Sequence, residues 1–141
     1  MSLNSTAAAN PGVVAGSSAI VLVGRVLLSA MFIVGGYSKL TAVAGTAAWF
    51  GSLGLPMPTV VAIAVGLLEL FGGLFILAGY RTRIAAFALA AFTIAATGLA
   101  HLDFVDQTQL LFLQKNLSIT GGLLILAIFG AGALSVDARR G

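Results

Sequence analysis

The chain has no cysteine among its 141 residues, so it cannot form a disulfide, relay electrons through its own thiols, or hold an iron–sulfur cluster or a zinc thiolate site. Histidine is nearly as scarce. The one imidazole, His101, cannot ligate a haem from both faces, and no metal site is expected. Charged residues make up only 8% of the chain, with four acidic side chains in all. The seven Lys and Arg are scattered or sit at the ends of apolar runs instead of forming a basic stripe, which argues against nucleic acid as a partner. Any redox role must therefore rest on a bound cofactor or a partner protein.

What the chain does have is apolar length. Hydrophobic residues make up 60% of it and the mean hydropathy is +1.11, far outside the soluble globular range. Four runs, at about 17–38, 59–80, 84–102 and 110–129, each match the thickness of a bilayer. Isolated strands would leave backbone groups unsatisfied in lipid, and a barrel needs short alternating segments, so the runs are predicted to be helices. The expected fold is all-α: an integral membrane antiparallel four-helix bundle over 17–134, in the lipid bilayer of a bacterial cell inner membrane. A small, polar stretch at 1–16 reads as a flexible tail, and 135–141 as a C-terminal tail. A cleaved signal peptide fits poorly, because no basic residue precedes the first run and Arg25 interrupts it.

Charge placement orients the bundle. Arg81, Thr82 and Arg83 form the whole predicted connection between spans two and three, a tight basic turn that the positive-inside rule assigns to the cytoplasm. Arg139 and Arg140 then fall on the same side, with both termini cytoplasmic. The connection at 103–109 carries Asp103 and Asp106 with no cation, which suits the outer face. The first outer connection, 39–58, brings Trp49 and Phe50 before a Gly- and Pro-rich stretch, so a short interfacial helical segment is expected across the outer mouth.

Three spans carry an ionisable residue where hydrocarbon is expected: Arg25, Glu69, and Lys115 beside Asn116. A charge at membrane depth costs several kcal/mol unless it is paired or wetted, which makes each a site candidate. Arg25, Ser29, Phe32, Gly36 and Lys39 recur at steps of four, three, four and three, forming one stripe predicted to face inward. Thr93, Thr97 and His101 form a second polar line climbing to the outer surface. Glu69 falls near the midplane, among Gly66, Gly72 and Gly73. An ion pair from Arg25 up to Glu69 is the most economical arrangement, with Lys39 or Lys115 competing from above. The outer half is expected to hold a polar pocket. Structural alternatives exist for each residue: Arg25 as an inner-face anchor, Glu69 as helix glue, Lys115 and His101 as interfacial side chains.

The order of these features resembles the DoxX family of small four-helix membrane proteins. The resemblance is carried by Gly24-Arg25 with Phe32, Gly35, Gly36 and Lys39; by Leu53-Gly54-Leu55-Pro56; by Gly66 through Gly73 around Glu69; by Gly79-Tyr80-Arg81-Thr82-Arg83; and by Gln114-Lys115-Asn116-Leu117 with Gly121-Gly122. It implies a membrane subunit associated with an oxidoreductase system, with Arg25, Lys39, Glu69, Lys115 and Asn116 at the family's polar positions. Relatives that work by paired cysteines are excluded as guides. The expected function is a membrane component of a redox or stress-related system. Arg25, Lys39, Glu69, His101, Lys115 and Asn116 would bind a quinone-like or small anionic ligand or handle its proton. No cofactor is expected to be intrinsic, quinone being the candidate, and partners would be further copies or other membrane or redox subunits. The alternatives are a small proton-coupled transporter, with Glu69 exchanging proton for substrate, and a purely structural subunit of a membrane complex.

Overall fold

The computed structural model describes residues 11–141, with side chains from residue 16 onward. Its helices are α1 (Pro11–Thr41), α2 (Val43–Ser52), α3 (Pro58–Ala78), α4 (Thr82–Ala100), α5 (Gln107–Phe129) and α6 (Val136–Arg140), with no strand among the described residues. Four of them, α1, α3, α4 and α5, are long and apolar enough to cross a membrane. The expected N-terminal tail lies mostly outside the described residues, and α1 already begins at Pro11.

The four long helices form an antiparallel bundle in which α1 packs chiefly on α3, α4 on α5, and α3 joins the two pairs through α4. Lipid offers no hydrophobic reward for bringing helices together, so close backbone approach must supply the contact. The α1–α3 seam does so at Gly36, where an added Cβ would meet Leu70 N at 2.4 Å and Gly66 O at 2.6 Å. One core of Phe32, Ile76, Ala85, Ala86, Leu89, Ala90, Leu123 and Leu126 draws on all four spans. Outward faces carry Ile20, Leu27, Phe71, Phe87 and Ile125 exposed, as lipid requires.

The two ends of the bundle are built differently. At one end the α3–α4 turn consists of Gly79, Tyr80 and Arg81, two residues earlier than the predicted Arg81–Arg83 turn, and Thr82 and Arg83 already belong to α4. Gly79 ends α3 in the left-handed region at φ 70°, and this sets the earlier stop. The C-terminal stretch is not a free tail: Ser135 caps α6 by accepting from Ala138 N at 3.1 Å, and Asp137 N donates to Gly79 O at 2.8 Å. We call this the basic end, after Arg81, Arg83, Arg139 and Arg140. At the opposite end the short helical segment expected in the first outer connection is α2, which packs Ala47 and Phe50 on Ala62 of α3. Asp106 caps α5 there by accepting from Thr108 N at 2.7 Å.

Candidate ligand site

The inward stripe on α1 is real, and it delivers its two cations to different places. Arg25 is 2% exposed and lies at the basic end. Its Nη1 donates to Ala131 O at 2.8 Å and Leu134 O at 3.0 Å, and its Nη2 to Leu77 O at 3.0 Å. Leu77 lies in the last turn of α3 and Ala131 just past α5, so the guanidinium meets the negative, carbonyl-bearing ends of two helices. It does not reach Glu69. The α1 residue level with that carboxylate is Gly35, where an added Cβ would lie 3.3 Å from Glu69 Oε2. Ten residues of helix, about 15 Å, separate Gly35 from Arg25. The expected Arg25–Glu69 pair is therefore replaced by an Arg25 staple beneath the bundle.

Glu69 pairs instead with Lys39, whose Nζ lies 2.7 Å from Oε2. The carboxylate side chain is 10% exposed and the ammonium side chain 25%, so the pair is sheltered without being sealed. Glu69 Oε1 has no protein hydrogen-bond partner among the described residues. The pair forms the floor of a cavity of about 620 Å³ that lies between α1, α3, α4 and α5 and is roofed by Trp49 and Phe50 of α2.

Lys39, Glu69, His101, Lys115 and Asn116 all line this cavity, and Arg25 alone of the predicted set does not. Lys115 Nζ stands 4.6 Å over the Phe112 ring and has no carboxylate partner among the described residues. It does not compete for Glu69. His101 Nδ1 lies 2.5 Å from Gln109 Oε1, which as a carboxamide oxygen accepts, making Nδ1 the donor. The imidazole also packs on Phe112, with ring centroids 5.1 Å apart. Asn116 Nδ2 donates to Thr97 Oγ1 at 2.9 Å, and Thr97 Oγ1 donates to Thr93 O at 2.6 Å, so α5 is tied to the polar line of α4. Thr97 belongs to the polar line already read from the sequence, whereas Gln109 was not singled out there. Gln109 stands three residues after the helix-capping Asp106, a capping-box spacing that marks it as ordered.

The cavity thus combines aromatic walls from Trp49, Phe50, Phe92 and Phe112 with one acid, two cations, an imidazole and two carboxamides. The DoxX family model matches residues 20–102, from α1 to the end of α4 and including Arg25, Lys39, Glu69 and His101. The chain belongs to the DoxX family. It is 42% identical over 120 residues to "Inner membrane protein YqjF" of Escherichia coli (strain K12), covering 83% of this chain and 88% of that protein. It is 32% identical over 126 residues to "Inner membrane protein YphA" of the same organism, covering 85% of this chain and 89% of that protein. It is 33% identical over 115 residues to "Putative oxidoreductase CatD" of Bacillus subtilis (strain 168), covering 80% of this chain and 81% of that protein. No solved structure matches the chain. As a DoxX family member with four membrane-spanning helices, it is a membrane protein.

Proposed function

We propose that this DoxX family protein is a membrane component of an oxidoreductase system that takes a quinone-like or small anionic ligand into the α2-roofed cavity. The observation that carries the reading is the cavity's make-up: an exchangeable acid–base pair, Lys39–Glu69, on the floor and a second cation, Lys115, with no acidic partner, all beneath aromatic walls. A ligand with an apolar ring and oxygen acceptors meets each of these. The rings of Trp49, Phe50, Phe92 and Phe112 would face its body. Lys115, Asn116 and His101 would donate to its oxygens, and Glu69 Oε1 is the atom able to hold or release a proton as the ligand's charge changes. No side chain of this protein carries electrons, so the donor or acceptor would be another subunit. The relative whose name carries the word oxidoreductase supports this direction.

Orientation follows the same reading. The basic end would lie in the cytoplasm by the positive-inside rule, and the cavity would open in the opposite half of an inner membrane, the location in the names of two relatives. The Arg25 staple ties the ends of α3 and α5 together at the basic end, so ligand and proton exchange would use the cavity mouth.

Purification in mild detergent followed by mass spectrometry of extracted small molecules tests the reading. A quinone or similar carbonyl compound is expected with the wild-type protein and absent from a folded Glu69→Gln variant. A wild-type preparation that retains no such molecule, but drives proton-gradient-dependent efflux after reconstitution, would overturn it in favour of the transporter alternative.

A further inference from the structure

A second concavity lies at the basic end, remote from the ligand cavity and with none of its residues in common. It is an open cleft of about 490 Å³ whose lining includes Arg81, Arg83, Ile84, Phe129, Gly130 and Asp137. We propose that this cleft binds the phosphate of an anionic phospholipid headgroup, with Arg83 as the principal ligand.

The charges leave Arg83 for this role. Five arginines, Arg25, Arg81, Arg83, Arg139 and Arg140, stand at this end against one carboxylate, Asp137; Arg139 does not line the cleft, and both oxygens of the carboxylate are occupied. Oδ1 accepts from Arg81 N at 2.7 Å and Oδ2 from Thr82 N at 2.9 Å. The Arg81 and Arg140 side chains lie by Tyr80, whose hydroxyl they hold below its ordinary pKa, and Arg140 stands 5.2 Å from its ring. Arg25 is buried, with both terminal nitrogens on carbonyls, and does not line the cleft. The Arg83 guanidinium lies against Gly130, close enough that a Cβ there would sit 3.4 Å from Nε. It makes no hydrogen bond or ion pair with any described residue.

The apolar wall selects lipid over free phosphate. Ile84 is 64% exposed and Phe129 is 78% exposed, and both line the same cleft as the arginines. Arg83 stands in the first turn of α4 and Phe129 in the last turn of α5, so the cleft opens where two membrane-crossing helices leave the hydrocarbon. A guanidinium fork on the water side, with apolar side chains a residue away on the membrane side, matches a phosphate joined to acyl chains. A free anion would make no use of Ile84 or Phe129.

The test is native mass spectrometry of the full chain in detergent micelles doped with equal amounts of phosphatidylglycerol and phosphatidylethanolamine. Wild type is expected to retain phosphatidylglycerol about tenfold more than phosphatidylethanolamine, and Arg83→Gln to abolish that preference. Arg139→Gln is expected to leave it unchanged. An equal drop in the two variants would mean diffuse attraction to a basic surface and overturn the proposal. So would displacement of the lipid by millimolar inorganic phosphate, which would indicate a free-anion site. Should Arg83→Gln lose its fold, Phe129→Ala is the second variant. It removes an exposed ring and should lower phosphatidylglycerol retention, and unchanged retention would overturn the lipid assignment.

Discussion

The two cations that α1 turns inward, Arg25 and Lys39, stand on one helical face about 21 Å apart, yet they do opposite work. Arg25 is enclosed and spends its donors on three backbone carbonyls from α3 and the segment after α5. That arrangement fastens the ends of α3 and α5 to one buried side chain. Lys39 has one partner, a carboxylate, beside a cavity. A charge inside a span marks function by default, and this pair shows that the identity of the partner decides whether the default holds. With both terminal nitrogens on backbone carbonyls, a buried guanidinium becomes a staple. Faced by a carboxylate with one oxygen uncommitted, an ammonium becomes part of a site that can respond to a ligand.

Replacing each cation by an uncharged side chain of similar length is the sharpest way to break this distinction. Arg25→Met removes the donor for three sheltered carbonyls, and the cost is expected at about 3–5 kcal/mol, read as a large drop in thermal unfolding temperature in detergent. Lys39→Met leaves Glu69 free to protonate and should cost about 1 kcal/mol or less while removing ligand retention. Equal destabilisation by the two variants would sink the contrast.

The glycines beside the two cations give a second, smaller comparison. Gly79 has φ 70°, and a Cβ there would meet Ser135 Cβ at 2.4 Å and Arg25 Nη1 at 2.6 Å. Gly79→Ala is therefore expected to destabilise by about 2–3 kcal/mol, through both backbone strain and displacement of the staple. Gly35 is an ordinary helical residue whose Cβ would press on Glu69 Oε2 at 3.3 Å. Gly35→Ala should barely move the unfolding temperature but should shift the carboxylate and weaken ligand retention. A reversal of the two effects would show that the basic end is not the structural one.

The span count, the helical class and the inward α1 stripe were legible because lipid leaves so few ways to satisfy a backbone and because period 3.6 sorts residues onto faces. Five of the six predicted site residues share a cavity for the same reason: each belongs to a polar stripe, and polar stripes in lipid turn towards one another. From the sequence, Arg25 comes first as the partner of Glu69 and Lys39 only as a competitor, and it is Lys39 that pairs. Sequence reasoning matches charge with opposite charge, and Arg25 found carbonyls instead. Those acceptors lie in the last turn of α3 and in 130–135, a segment with no signal that it folds back beneath the bundle. Asp137 was missed on the same account, since its role depends on a contact with residues 81 and 82 across the chain. Gln109 escaped because a capping pattern predicts order at a helix start and says nothing about which ring nitrogen it will meet.

Asp137 provides the mildest test of the basic end, through pH. Burial raises the pKa of its carboxyl, but hydrogen bonds from the Thr82 and Arg81 N–H groups, aided by the Arg140 charge, outweigh this and hold it below the ordinary aspartate value. A carboxylate depressed in the folded state contributes stability that is fully present above its unfolded pKa and is lost as pH falls through the folded one. Asp137→Ala removes the cap on α4 and should cost about 1 kcal/mol at neutral pH. The difference from wild type should shrink as the pH drops below the usual carboxylate range, because acid removes the same interaction from the wild-type protein. A cost for Asp137→Ala that stayed constant down to strongly acidic pH would mean that the side chain acts by packing, and the electrostatic account of how α6 is fastened to α4 would fall.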